Sequence, residues 1–148
     1  MFAHILMPVD ASAVSTNAIQ RGVEFAQSQG AKITALHVSP TYRQLMDEGY
    51  LLPEFTLTKK EWEESMAKRA RAILDPLVSA SKKAGIHCDT VHVYGNSDYA
   101  AIVDTANKNG CDVIVMGSHG YGAVKGAMLG SVTTRVLSHT KLPVLVIR

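Results

Sequence analysis

Asp112-Val113-Ile114-Val115-Met116-Gly117-Ser118-His119-Gly120, continued by Gly130-Ser131-Val132-Thr133-Thr134, is the stretch whose reading decides the fold. Its first five residues, Asp112 to Met116, form a short apolar run, β-branched enough to be a buried strand. Ser131 to Thr140 reads as a helix, so a glycine-rich loop joins a strand to a helix. Gly117 and Gly120 at the strand exit lack the Cβ that would block a sharp turn or the close approach of a ligand. Gly130 stands where the helix begins. There the first free N–H groups point outward and the helix dipole is positive, so an anion is favoured. The hydroxyls of Ser131, Thr133 and Thr134 add donors for phosphate oxygens. The chemistry this pattern points to is phosphate binding.

Two better-known glycine patterns do not fit. A Walker loop ends in Gly-Lys-Ser/Thr, whereas Gly130 precedes Ser131 and the nearest lysine is Lys125. The dinucleotide fingerprint has two residues between its second and third glycines, and Gly120, Gly122 and Gly126 do not keep that spacing. What the chain carries is Gly-x2-Gly-x9-Gly-Ser, formed by Gly117, Gly120, Gly130 and Ser131. This spacing resembles the ATP-binding branch of the universal stress protein family. The resemblance runs from His4-Ile5-Leu6-Met7-Pro8-Val9-Asp10 to Pro143-Val144-Leu145-Val146-Ile147, and implies one universal stress protein domain over 1–148.

Composition bounds the reading. A chain of 148 residues is one ordinary domain, which buries about 68–70 % of its unfolded surface, and a hydrophobic fraction of 47 % supplies that core. A net charge of +2 without a basic run gives no argument for nucleic acid or an acidic membrane. Cys88 and Cys111 form neither a CxxC nor a zinc pattern, which reads as two buried thiols in a reducing compartment. No apolar run approaches the roughly 20 residues of a membrane helix, and the first residues read as a strand rather than a leader. A cytoplasmic protein is the expectation.

Taken in order, Phe2 to Val9 is the first strand, closed by Asp10. Ser12 or Ser15 caps a helix with Val14, Ala18, Ile19, Phe25 and Ala26 inward, ended by Gly30. Ala31 to Val38 is the second strand, and Thr41 to Leu57 a partly ordered excursion without a clean period. Thr58 and Glu61 have capping-box spacing before the helical repeat Trp62, Met66, Ala70, Ile73, Leu74, Leu77 and Val78. Pro76 inside that repeat predicts a kink. Ile86 to Tyr94 is the third strand, Asn96 or Ser97 opens the next helix, and Leu142 to Ile147 is the fifth strand. His87 and His92 fall on opposite sides of the third strand, which argues against a shared metal. Strands alternating with helices give an α/β, doubly wound, Rossmann-like domain with a five-stranded parallel sheet and helices on both faces.

The resemblance supplies the rest. It implies the strand order 3-2-1-4-5, with the winding reversed between strands one and four, where such sheets bind ligands. It implies an ATP pocket formed by Pro8, Val9, Asp10, Val38, Met116, Gly117, His119, Gly120, Gly130, Ser131, Val132 and Thr133. Asp10 could hold a ribose hydroxyl, coordinate Mg2+, or cap the following helix. Val38 would offer its backbone to adenine, and His119 would face phosphate. Lys125 either reaches the γ-phosphate or keeps the loop soluble, and Tyr121 and Met128 read as packing residues. A homodimer through the C-terminal strand (142–147) follows from the family and from its edge position. The function implied is a small ATP-binding regulatory or stress-response module with an unnamed protein partner. No positioned base, arginine finger or Walker lysine is visible, so catalytic residues are not assigned and hydrolysis is slow at most. The competing classes are a protein-binding regulatory dimer without nucleotide and an adenine-nucleotide α-hydrolase. Two departures from the family are Ala11, where glycine is frequent, and a loop at Gly95-Asn96-Ser97-Asp98 one residue longer than usual.

Overall fold

The computed structural model describes residues 1–48, 57–119 and 128–148, and at 13–15 the backbone alone. Its elements are β1 (His4–Pro8), α1 (Ala13–Gln29), β2 (Lys32–Ser39), α2 (Tyr42–Asp47), α3 (Lys59–Lys83), β3 (Cys88–Tyr94), α4 (Asp98–Lys108), β4 (Val113–Gly117), α5 (Ser131–His139) and β5 (Val144–Ile147). The strands form one parallel sheet in the order β3-β2-β1-β4-β5, as expected.

A parallel sheet covered on both faces needs apolar residues at successive positions, because neighbours along a strand point to opposite sides. Ile5, Met7, Ile33, Ala35, Val113 and Val115 build the core on one face with α1 and α3. Leu6, Leu36, Ile114 and Met116 build the core on the other face with α4 and α5. The covering helices share one terminating device. After α1, α3 and α4 the chain turns on Gly30, Gly85 and Gly110, at φ of 66°, 72° and 64°, a region that glycine enters without a Cβ penalty. Each turn returns an N–H to the last helical turn: Ala31 to Ala26 O, Ile86 to Ser81 O and Cys111 to Ala106 O. That bond spends the Ile86 N–H on the helix end, so β3 begins at Cys88 rather than at the expected Ile86. Leu142 N–H likewise donates to Thr140 Oγ1 in a turn, and β5 begins at Val144.

The capping box is present: Thr58 Oγ1 accepts from Glu61 N–H and the Glu61 carboxylate accepts from Thr58 N–H. From there α3 runs as one helix through Pro76, which lies on the exposed side. Within the excursion, Thr41 caps the short α2, while Tyr50, Pro53 and Phe55 lie outside the described residues. Cys88 is half-buried and Cys111 buried; both are free thiols, and burial pushes Cys111 up to about 11. No helix among the described residues is long and apolar enough to cross a membrane.

The start of β1 is tied to the start of β4 by Asp112. Its carboxylate accepts from Ala3 N–H at 2.8 Å and His4 N–H at 3.0 Å, and its own N–H donates to His4 O. Burial works against the charge, but the N–H groups of Ala3 and His4, its own N–H and the nearby His4 together hold the carboxyl below the usual range. A depressed folded-state value means that this stabilisation is complete above the ordinary carboxylate pKa and is lost as pH falls through it. Urea midpoints should therefore lie higher for the native chain than for Asp112→Asn at neutral pH and converge in acid. A gap that stays constant down to about pH 3 would contradict the assignment.

Candidate functional site

The winding reverses between β1 and β4: β1 leads into α1 on one face of the sheet, and β4 leads towards α5 on the other. A cavity of about 690 Å³ opens beyond the carboxyl ends of these strands. This is the size of a small-molecule site, at the place where doubly wound sheets take ligands.

Its walls come from widely separated parts of the chain. β1 and its exit supply Pro8, Val9, Asp10, Ala11 and Ser12, and β2 supplies Leu36 to Pro40. Met116, Gly117 and His119 come from β4 and its exit, and Leu129 to Thr133 from the entry to α5. Asp98 and Ile102 come from α4, and Leu45, Trp62, Met66, Arg69 and Ile73 from α2 and α3. The structure thus brings together Pro8, Val9, Asp10, Val38, Met116, Gly117, His119, Gly130, Ser131, Val132 and Thr133. Gly120, Tyr121 and Lys125 lie outside the described residues.

The α5 end of the cavity is an anion-seeking surface. Its N-cap is Gly130, which has no side chain to cap with, and the first turn holds no acidic residue. The first intrahelical bond runs from Thr134 N–H to Gly130 O, so the N–H groups of Ser131, Val132 and Thr133 precede the first acceptor in the helix. The cap is held in place by Gly130 N–H donating to Ser118 O at 2.7 Å and Ser118 N–H donating to Ile147 O at 2.7 Å.

The hydroxyls do not share the role expected of them. Thr133 is 2 % exposed, and its Oγ1 donates to Gly117 O at 3.1 Å and Ser118 O at 3.3 Å. It closes the loop onto the strand end. Thr134 Oγ1 similarly donates to Gly130 O. Ser131, exposed at the first helical position, is the hydroxyl not committed in this way. Met128, read as a packing residue, is instead 75 % exposed.

On the β1 side, Asp10 Oδ1 accepts from the N–H and the hydroxyl of Ser12, fixing the turn into α1, and the residue also lines the cavity. This is a local turn ahead of α1 rather than a helix cap: the N-cap of α1 is Ser12, which makes no side-chain cap bond. His119 Nδ1 lies 3.0 Å from Ser118 Oγ. Among the described residues no group of three or more His, Cys, Asp or Glu is placed to hold a metal.

Sequence reading misses the far wall. His37, one of several scattered histidines, donates from Nδ1 to Val9 O at 2.9 Å, because a carbonyl can only accept. Its ring stacks on His92 at 6.0 Å, and His92 Nε2 lies 2.8 Å from Ser39 Oγ. Burial, reinforced by His37, pushes the His92 pKa down. Ring contacts then continue from His92 to Tyr94, Trp62 and Tyr42 at 4.7, 5.5 and 5.7 Å. Asp98, at the cavity rim, is also new. Burial raises its carboxyl pKa, His37 pulls it down and Asp10 raises it further. A sequence signal did exist: Trp62, Met66, Arg69 and Ile73 form one helical stripe, and an arginine within an apolar stripe marks a face that is not simple core.

The model of the Universal stress protein family matches residues 1–148. The chain is 29 % identical to universal stress protein YxiE of Bacillus subtilis and 31 % identical to universal stress protein G of Escherichia coli O157:H7, each covering 100 % of both chains. The solved structure of MJ0577, whose sequence counterpart comes from Methanocaldococcus jannaschii, superposes with a TM-score of 0.81 at 28 % identity, covering 99 % of this chain and 96 % of the other. Universal stress protein UspA from Lactobacillus plantarum gives 0.79 at 28 %, covering 99 % and 97 %. The same fold is shared with a universal stress protein solved with cAMP (TM-score 0.70, 22 % identical, 99 % and 97 % covered). It is also shared with one from Archaeoglobus fulgidus solved with dAMP (0.68, 19 %, 99 % and 98 %).

The two bonds of Thr133 Oγ1 give a direct check. Thr133→Val should lower unfolding free energy by about 1–3 kcal/mol in urea titration, since buried carbonyls lose their donor, while Thr133→Ser stays close to native. Unchanged stability in Thr133→Val would return the hydroxyl to a ligand-binding role.

Proposed function

We propose that this protein, which belongs to the universal stress protein family, binds ATP with a divalent cation and acts as a small regulatory or stress-response module. The observation that carries the reading is the glycine-capped N-terminus of α5 opening into a cavity at the winding reversal. Phosphate oxygens would take the N–H groups of Ser131, Val132 and Thr133 with the Ser131 hydroxyl, beside the backbone of Gly117. His119 and Gly120 would border the same phosphates. Asp10 would accept from a ribose hydroxyl or, together with phosphate oxygens, ligate Mg2+, which binds through one or two carboxylates plus phosphates. Adenine would lie against Pro8, Val9, Met116 and the backbone of Val38. The cAMP and dAMP held by two proteins of this fold support an adenine nucleotide.

The chemistry argues for a binding module more than for an enzyme. Phosphoryl transfer draws its rate from positioned charge, and the loop pattern offers no Walker lysine. Homodimerisation is part of the reading: β5 is an edge strand, with Leu145 36 % exposed on it, and a second copy pairing along this edge would satisfy its free backbone groups. A cytoplasmic location and a protein partner belong to the same proposal.

The test is calorimetric titration of ATP with magnesium into the native chain and into Gly130→Val. Gly130 has φ −70° and ψ 158°, which valine adopts freely, so the backbone does not oppose the substitution; circular dichroism verifies the fold, while the new methyls crowd the phosphate approach. Native binding weakened at least about tenfold in the variant is the expected result. A native protein that gives no heat and carries no nucleotide would overturn the reading in favour of a protein-binding module.

A further inference from the structure

We propose that Asp98, assisted by His37, is the base-reading residue of the cavity, and that it selects a purine bearing an exocyclic amino group. The inference rests on the nucleotide reading above and adds to it the group that distinguishes one base from another.

The position of Asp98 follows from the strand order. Phosphate is assigned to the side of β4 and α5, so the remainder of the ligand extends over β1 towards β2. β3 lies beyond β2, and its exit is fastened there by Gly95 N–H donating to Ser39 O at 2.9 Å. Asp98 follows three residues later at the first position of α4 and lines the cavity. It therefore stands at the base end, away from the phosphate end. Its charge reinforces this polarity, since a carboxylate repels phosphate.

What this end offers is hydrogen-bond acceptors. The Asp98 carboxylate makes no hydrogen bond or ion pair with any described residue, although it is partly desolvated, as the upward push on its carboxyl reflects. His37 spends its Nδ1–H on Val9 O, so in the neutral ring Nε2 is left with a lone pair. Two acceptors suit a donor on the ligand. Adenine presents one in its 6-amino group, whereas hypoxanthine carries at that position a carbonyl, lone pair to lone pair with the carboxylate, and has its donor one ring position away at N1–H. A cation is the other partner such acceptors could take, but no group of described residues is placed to hold a metal.

A site built to bond one donor rejects an analogue lacking it far more strongly than shape alone does. The experiment compares ATP with ITP, each with magnesium, by calorimetry on the native chain, Asp98→Asn and Asp98→Ala. Asp98 is exposed at the rim, and circular dichroism verifies that each variant is folded. The native chain should prefer ATP by at least about tenfold. Asp98→Asn, whose amide can donate to a 6-carbonyl, should reduce that ratio about tenfold or more, chiefly by strengthening ITP binding, and Asp98→Ala should flatten it by weakening ATP. Equal binding of ATP and ITP by the native chain overturns the inference, as does a ratio unchanged in both variants. Both outcomes leave the nucleotide reading standing. Failure of either nucleotide to bind the native chain removes both.

Discussion

Two aligned pairs, Ile5 with Val113 and Leu6 with Ile114, join β1 to β4, and everything above this seam depends on it. Parallel strands bury both faces, and the connections from these two strands leave towards opposite faces. No segment is then obliged to cross over the seam, and a crevice forms at the strand ends. Asp112 holds the opposite end of the same seam, taking the N–H groups of Ala3 and His4 where the ladder itself stops. The loop bonds from Thr133 and Gly130 to the end of β4 complete the frame, and through them α5 faces the crevice with its N-terminus. An opening of this kind is a product of topology before it is a product of any particular side chain.

The cavity is polarised along the sheet edge. At one end, backbone donors and a helix dipole stand without a neutralising acid in the first turn. At the other end, His37 and Asp98 place acceptors around the exits of β2 and β3, with Asp10 at the exit of β1 between the two ends. Between the two, Val9, Leu36, Met116 and Ile102 provide an apolar floor. A ligand matched to this arrangement is anionic at one end, flat and apolar in the middle, and supplied with donors at the other. The aliphatic and aromatic stripe of α3 closes the outer side, which lowers the local dielectric and strengthens each of these polar contacts.

Much of this was legible in the sequence because it rests on local rules. Buried parallel strands announce themselves as apolar runs, and Gly30, Gly85 and Gly110 mark helix ends through a backbone requirement few other residues meet. The Thr58–Glu61 box identified the start of α3 for the same reason. The strand order was different in kind, since it came from resemblance and not from periodicity. What stayed hidden depends on contacts across the sheet. Trp62, Met66 and Ile73 have the spacing of core residues, and only the tertiary structure shows that they line a cavity. A hydroxyl at the start of a helix looks the same whether it faces a ligand or turns back on a carbonyl; Thr133 does the latter, with its partners 15 and 16 positions earlier in the chain. His37 was one of several histidines until its bond to Val9 O oriented it.

The ring contacts from Tyr42 through Trp62 to Tyr94 have an optical consequence. The chain has one tryptophan, 4 % exposed and forming part of the cavity wall. Ultraviolet light absorbed by the two touching tyrosines passes by resonance to this single indole, because the rings lie 5.5 and 5.7 Å from it. The emission of these three rings is thereby gathered at one wall of the crevice, and its colour and intensity report the polarity of what occupies that space. The protein carries its own fluorescent gauge of occupancy, built from the side chains that enclose the cavity.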